Sequence, residues 1–256
     1  MKKVSIIIVN WNGLNHLKKC LPSLKKINYS NHEVIIVDNG SKDESVPYIS
    51  QNFPQYKIVK SKTNLGFAGG NNKGLIYAKG EYILLLNNDT IVTKNFLSEL
   101  VKEIEKDESI GVVQGKLISM DFRDRLDSVG AFLTNTGFLY HYGYLQKDQK
   151  KYDRSIYLYT AKGACLMARS SLIKKIGLFD EDFFAYFEES DFCHRVWLAG
   201  YTIRYAPKSV IYHKIGGTTN AMRNSFIQFH SFKNRINTYI KNLGLLELIQ
   251  ILPIHI

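Results

Sequence analysis

Long apolar runs are missing from this sequence: none reaches the roughly 18 residues that a membrane-spanning helix needs, so no bilayer-crossing segment is expected. Cysteine is scarce and odd in number. Cys20, Cys165 and Cys193 are scattered, which excludes a disulfide framework and any cysteine-based zinc spacing. A reducing, cytoplasmic setting is the expectation. The usual nucleotide signatures are also missing. No G-x-G-x-x-G follows the first apolar run and no G-x-x-x-x-G-K-[ST] occurs, which argues against a dinucleotide-dependent dehydrogenase and a P-loop NTPase. Internal repeats, low-complexity tracts and linkers are absent too. The opening MKKVSIIIVNWNG resembles a signal peptide only superficially. Its apolar stretch, Val4 to Val9, is too short and no small-residue cleavage site follows.

What is present is ordinary for a globular protein. The 256 residues are 45% hydrophobic and 22% charged, enough to bury a core in one or two domains. The net charge of +11 is uneven: from Arg204 onward seven Lys/Arg stand against one acid, Glu247, so +6 falls in the last 53 residues. A basic, aromatic-bearing end points to an anionic partner, a membrane surface or nucleic acid. No DNA- or RNA-binding motif accompanies the charge, so no nucleic acid is expected.

Apolar runs that read as buried strands recur at Val4–Val9, Glu33–Val37, Lys57–Val59 and Tyr82–Leu86. Helical spacing lies between them: Leu14, Leu17, Leu21 and Leu24, where Pro22 should kink or break the helix, then residues 46–52 and 69–79. This β-α-β-α-β-α-β order predicts an α/β fold with a doubly wound, mostly parallel sheet. A helix over 95–106, a strand near Val112, an irregular or hairpin excursion over 121–160, a strand over 163–168, a helix over 171–176 and a strand over 202–205 follow. One catalytic domain over 1–220 and a helical tail over 221–256 is the expected division.

In open α/β sheets, ligands bind at the carboxyl ends of the strands. Here those ends are polar in turn: Asn10, Asp38, Asn64 and Asp89. One polar strand end is turn chemistry; four around one crevice point to a site. NLGFAGGNNKG, residues 64–74, lies at a loop-to-helix junction. Its small residues allow close ligand approach, or merely tight helix packing. FEESDF carries Glu188, Glu189 and Asp191, three acids that suit either a solvated helix N-terminus or, among so many aromatic side chains, a general base of raised pKa. His213 after VIY could join Asp89 in holding Mn²⁺ or Mg²⁺, with phosphate oxygens completing the shell. Cys193 and His194 are helix neighbours that point apart and make no nucleophilic dyad.

In this order the pieces resemble glycosyltransferase family 2, the inverting enzymes of the GT-A fold, over roughly residues 3–220. The carriers are SIIIVNWNG, VIIVDNGSKD, NLGFAGGNN, LLLNNDT, KGACLMARSSLIKKIGLFDEDFFAYFEESDFCHRVWLAGY and VIYHKIGGTT. They are most similar to the rhamnosyltransferase-like branch that builds cell-surface polysaccharides. The resemblance implies a Rossmann-like nucleotide-binding half, an acceptor half and a nucleotide-diphosphate sugar donor, a UDP- or dTDP-sugar such as dTDP-rhamnose. Asn87-Asn88-Asp89 takes the place of the D-x-D motif, with Asn87 at its first acidic position, and Asp89 and His213 become the metal pair. Asp38 becomes the contact to the base, with Val9, Asn10, Asn64, Gly66, Gly69 and Gly70 around base, ribose and phosphates. Gly163 and Ala164 line the donor sugar and acceptor. Glu189 falls where an aspartate base is commoner, and Glu188 and Asp191 stand beside it. The implied reaction is a single in-line displacement by a hydroxyl of a glycan or lipid-linked acceptor.

The tail, residues 226–256, mixes Lys233, Arg235 and Lys241 with Phe, Tyr, Leu and Ile. That profile fits an interfacial helix on the cytoplasmic face of a membrane, or a helix packed back on the domain or on a second subunit in a homo-oligomer. The sequence stops within an apolar run, as a truncated chain would. Two rival functions remain. A nucleotidyltransferase would need a Gly/Arg/Lys-rich loop after the first strand, where NWNGLNHLKK has one glycine. A non-catalytic GT-A scaffold shares every motif.

Overall fold

The computed structural model describes residues 1–217 and 223–255. Thr218 and Thr219 of the last motif, and the expected boundary at 220/221, lie outside the described residues. The apolar runs become strands Val4–Asn10 (β1), His32–Asp38 (β2), Lys57–Lys60 (β3), Tyr82–Leu86 (β4), Thr90–Val92 (β5), Ile110–Ser119 (β6), Leu126–Ser128 (β7), Ala131–Leu133 (β8), Leu139–His141 (β9), Cys165–Arg169 (β10) and Thr202–His213 (β11). The helices are Leu14–Leu24 (α1), Ser45–Asn52 (α2), Gly66–Leu75 (α3), Phe96–Ile104 (α4), Ser170–Ile176 (α5), Glu188–Leu198 (α6), Asn224–Asn242 (α7) and Leu245–His255 (α8).

Among the described residues, nine strands form one sheet in the order β3-β2-β1-β4-β10-β6-β11-β5, with β7 beside β6. β1 is central to the parallel half of the sheet, with Ile7 opposite Ile35 and Leu85. β10 reverses direction, antiparallel to both β4 and β6 through Leu166, which faces Leu85 and Gln114. The sheet is therefore mixed beyond β4, and the α/β, GT-A architecture is otherwise the expected one. Alternation along β1 sorts the two cores: Ile6 and Ile8 pack with Leu17, Leu21 and Phe96 on one face, and Ile7 with Ala68, Leu172 and Phe192 on the other.

Some local expectations shift. α1 runs through Pro22 in its last turn and does without a hydrogen bond from that position to the Lys18 carbonyl. α3 starts three residues earlier than its spacing suggested. β11 is a single 12-residue strand that spans both the expected 202–205 piece and VIY. Its register slips between Ala206 and Val210, a bulge that accommodates Pro207. The 121–160 excursion is the short β7, a β8–β9 hairpin and one 3₁₀ turn at Lys150–Tyr152.

The tail folds back on the domain. Tyr239 is buried and its hydroxyl donates to the Gly137 carbonyl, while His255 Nε2 pairs with the Thr136 carbonyl at 2.9 Å. Its outer face keeps Phe229, Phe232, Ile240, Leu245, Leu246, Ile249 and Ile254 exposed. Among the described residues, no helix is long and apolar enough to cross a membrane.

α3 rides directly on β1 and β2 because Gly74 lacks a side chain. A Cβ there would meet Ile7 Cγ2 at 2.5 Å and Val37 Cγ2 at 3.0 Å. Gly74→Val should therefore lower unfolding free energy by about 1–3 kcal/mol through overpacking, read from the urea midpoint. Unchanged stability would mean that α3 is seated otherwise.

Candidate functional site

The carboxyl ends of β1 and β4 open onto a cavity of about 310 Å³. Val9, Asn64, Gly66, Asn87, Asn88, Asp89, Gly163, Ala164, Glu188, Glu189 and His213 all line it. Val9 and His213, 204 positions apart, are thus brought to one cavity by the sheet order.

Hydrogen bonds between strand ends set the floor. Asn88 Nδ2 donates to Asn10 Oδ1 at 2.7 Å, so Asn10 is fully buried behind the cavity and orients Asn88. Asn39 ties the second and third loops together: its amide donates to Asn64 Oδ1 and the Gly66 carbonyl, both at 2.9 Å, and accepts from Leu65 N–H at 2.9 Å. Asp38 stands at the end of β2, buried, with Oδ1 lacking a hydrogen-bond partner. Gly70 lies outside the lining. A Cβ there would sit 2.7 Å from Val9 Cγ1, so its smallness serves the packing of α3 under β1. Gly69 likewise is buried helix surface, against Leu65.

On one part of the wall, Asp89 at the tip of β4 meets His213 at the end of β11. Asp89 Oδ1 and His213 Nε2 are 3.3 Å apart, and both residues are at least nine-tenths buried. The other ring nitrogen, Nδ1, is 2.8 Å from Asp127 Oδ2, and Asp127 also accepts from Lys162 Nζ at 2.7 and 2.9 Å. Burial works against a charged imidazole, but the bond to Asp127 and the charges of Asp127 and Asp89 outweigh it and raise the His213 pKa to about 9. Burial likewise opposes the Asp127 charge, and its bonds to His213 and the nearby Lys162 hold its carboxyl below the usual range. A carboxylate behind a histidine fixes the tautomer and aims Nε2 outward, the arrangement that metal-binding histidines favour.

Facing the same cavity, α6 presents Glu188 and Glu189 from its first turn. Each has one carboxylate oxygen buried without a hydrogen-bond partner. Burial raises both pKa values, and the two act as a pair. Glu188 is pushed up further by the neighbouring Glu189 charge. Glu189 is relieved by Lys162, by a bond from Glu188 and by the Gly163 backbone N–H. Burial side by side thus favours a shared proton over two charges on the pair. Asp191 does not join them. It is fully buried away from the cavity, where it accepts from Arg195 Nε at 2.9 Å and from Asn242 Nδ2 at 2.8 Å. It fastens α7 to α6 and offers no atom to a reacting group.

Several lining residues went unpredicted. Trp11, Asn39, Phe67, Lys162, Phe184, Ala185, Tyr186, Gly216 and Gly217 all reach the cavity, and Asp127 stands behind it. The aromatic run FFAYF carried a signal. Its segment takes left-handed backbone at Phe184 (φ 57°), Tyr186 (φ 70°) and Phe187 (φ 67°), conformations that cost non-glycine residues of order 1–3 kcal/mol each. Asp127 had no signal, since its partner lies 86 positions away.

The Glycosyl transferase family 2 profile matches residues 5–176. The chain belongs to glycosyltransferase family 2. Among curated glycosyltransferases it is 27% identical over 199 residues to the low-salt glycan biosynthesis hexosyltransferase Agl10 of Haloferax volcanii, covering 75% of this chain and 61% of that protein. It is 22% identical over 221 residues to the poly-β-1,6-N-acetyl-D-glucosamine synthase of Staphylococcus epidermidis, covering 86% of this chain and 52% of the synthase. The chain thus spans little more than half the length of these relatives. GalNAc-T7 bound to UDP, GalNAc and Mn²⁺ shares the fold at a TM-score of 0.70 and 17% identity, over 84% of this chain and 43% of its own. The mannosyltransferase PcManGT of Pyrobaculum calidifontis, with GDP-Man and Mn²⁺, does so at 0.67 and 16%, over 99% and 68%. These likenesses establish the GT-A fold for this family 2 member.

The His213 pairing has a consequence for stability. A pKa raised above the ordinary 6.5 means that the folded state holds the proton more tightly than the unfolded one. That contribution is complete below about pH 6.5 and lost as pH rises through about 9. In chelator-treated protein the urea midpoint should fall across this window, and Asp127→Asn should flatten the fall. An equal slope in both proteins would remove Asp127 as the cause.

Proposed function

We propose that this chain transfers a sugar, with inversion, from a nucleotide-diphosphate donor to a hydroxyl of a glycan or lipid-linked acceptor in cell-surface polysaccharide synthesis. The observation that carries the reading is that one cavity is lined both by the Asp89–His213 pair and by the buried Glu188–Glu189 pair. The first suits a diphosphate leaving group and the second a proton acceptor. Family membership and the nucleotide-bound GT-A neighbours support it. UDP- and dTDP-sugars, dTDP-rhamnose among them, head the donor list.

The donor's base lies towards Asp38, Asn39 and Asn64, with its ribose and phosphates running past Val9 and the start of α3 to Asp89. Gly163 and Ala164 face the sugar. Glu189 takes the proton of the acceptor hydroxyl, whose oxygen attacks the anomeric carbon from the side opposite the diphosphate. One displacement inverts the configuration, and no covalent sugar–enzyme intermediate forms. Glu188, protonated, donates to Glu189 and keeps its basic oxygen in place.

Asp89 and His213 fit a divalent cation, Mn²⁺ or Mg²⁺. Asp89 Oδ1 is buried with no hydrogen-bond partner, and Asp127 aims His213 Nε2 at it. Two protein ligands are few, which suits an ion that takes the rest of its shell from phosphate oxygens and water. Bound there, the cation would supply positive charge against the departing diphosphate. The exposed apolar side chains of α7 and α8, beside basic residues, fit peripheral contact with the cytoplasmic face of a membrane that carries a lipid-linked acceptor.

Calorimetric titration with UDP, dTDP, GDP and ADP, with and without Mn²⁺, tests the donor half. Metal-dependent binding of one of them is expected, and it should disappear in Asp89→Ala. Silence of all four in folded protein would favour a non-catalytic scaffold. For the chemical half, Glu189→Gln should bind the nucleotide as wild type does and lose about 10²–10⁴-fold in transfer, whereas Glu188→Gln should retain transfer. Because the pair's pKa is raised and the base must be ionised, the rate should fall with decreasing pH at a value above the ordinary 4.5. Transfer surviving in Glu189→Gln would take the base role from this residue.

A further inference from the structure

Asn234 of α7 is fully buried, yet it lies in the tail, beyond the family-matched region. Its Nδ2 has three carbonyl acceptors within reach: Phe183 at 2.7 Å, Ala185 at 2.9 Å and Tyr186 at 2.7 Å. Three carbonyls converging on one nitrogen fix the amide's orientation, because its oxygen in that place would repel all three. The carbonyls belong to the strained segment of the cavity wall. Phe184 has φ 57° and ψ −65°, and Ala185 N–H turns back to the Phe183 carbonyl at 2.6 Å, a γ-turn of the rarer, positive-φ kind.

That turn has consequences on both sides. Its outward Phe184 carbonyl accepts from Ala68 N–H at 3.1 Å in α3, and the Phe184 ring lies over Gly66, where a Cβ would be only 2.7 Å from it. Downstream, Phe187 caps α6 in a left-handed conformation, and Glu188 and Glu189 follow at once. One amide on the tail therefore closes a loop that touches the donor side through Gly66 and Ala68 and sets the start of the helix that carries the acids. Phe226 and His230, two turns and one turn earlier on α7, pack on the Phe184 ring with centroids 5.8 and 5.6 Å away. Lys233 adds a bond to the Asp182 carbonyl at 2.9 Å.

We infer that Asn234 is a positioning residue for transfer: it clamps the Phe183–Tyr186 turn, so that α7 supports the wall of the active site from behind. The inference rests on the transferase reading for its catalytic half alone. A backbone held in a costly conformation relaxes once the groups that over-determine it are removed. Loss of the clamp should let the turn open, and Glu189 would then lose its placement while Asp89 and His213 keep theirs.

The test uses the full chain, with Asn234→Ala, Asn234→Asp (same shape, donor exchanged for acceptor) and the control Tyr239→Phe, which removes a bond of the same helix to Gly137 without touching the turn. Amide exchange at Ala68 and Ala185 should accelerate in both Asn234 variants and stay slow in the control. Under the donor conditions set by calorimetry, kcat should fall about 10–100-fold with donor KM changed less than about threefold. Tyr239→Phe should lower Tm at unchanged kcat. If Asn234→Ala does not fold, Asn234→Asp is read in its place. Wild-type kcat and slow Ala68 exchange in a folded Asn234 variant would overturn the inference. If the wild-type chain transfers nothing, the transferase reading fails by itself, and the exchange rates still decide whether Asn234 holds the turn.

Discussion

Everything around the cavity answers to one constraint: carboxylate oxygens buried where the fold supplies them no partner. Asp38, Asp89, Glu188 and Glu189 each keep such an oxygen within one region at the carboxyl ends of the strands. A buried acid without a hydrogen bond is among the more expensive things a fold can hold. It persists only where neighbours share the charge or where a ligand is meant to supply what is missing. Both remedies are visible. Lys162 and His213 bring positive charge from two different strand ends, meeting at Asp127. Glu188 and Glu189 share a proton-dependent contact that keeps them from both being charged.

Asp127 shows how far the solution extends from the cavity itself. It lies on β7, a three-residue strand at the side of β6, and touches no solvent. Without it, the His213 ring would lose the acceptor that orients it, and Lys162 would reach into the cavity with no anchor. The short strand in the irregular excursion is thus a structural support for two side chains that line the site. The tail plays the matching part for the acids. Its contact with Asp191 through Asn242 and with the Phe183–Tyr186 carbonyls through Asn234 brackets the first turn of α6 from both sides. The positive-φ residues Phe184, Tyr186 and Phe187 lie between those contacts.

What could be read in the residues follows from what is local. β1, β2 and β4 are continuous apolar runs because both faces of a parallel strand are covered, so their ends, and the polar residues on them, were legible. Asn64, Asp89, Glu188, Glu189 and His213, read from the residues themselves, fall together in the cavity with Val9, Asn87, Asn88, Gly163 and Ala164, which only the family resemblance implied. The reversal of β10 was not legible, because an apolar run carries no sign of its direction. Nor was the continuity of β11: Ala206-Pro207-Lys208 looks like a break, and only the bulge on β6 lets the ladder resume. Asp191 misled for a related reason. On a helix, positions 189 and 191 point about 200° apart, and Asp191 turned to Arg195, four residues on, the spacing at which helix side chains meet.

The substitution of Asn87 for an acid becomes intelligible at this level. Asn87 donates its backbone N–H to the Ala164 carbonyl at 3.1 Å and offers its own carbonyl to Thr90 at 2.7 Å, so its main chain is committed to joining β4 to β10 and β5. A second carboxylate at this position would stand two residues from Asp89, in a cavity already holding Glu188 and Glu189. A neutral amide lines the same wall, and donates or accepts, without adding a further negative charge beside Asp89 and the Glu188–Glu189 pair. The single carboxylate at the strand tip is thus the arrangement that the two available cations can balance. It leaves the remaining charge compensation to whatever enters the cavity.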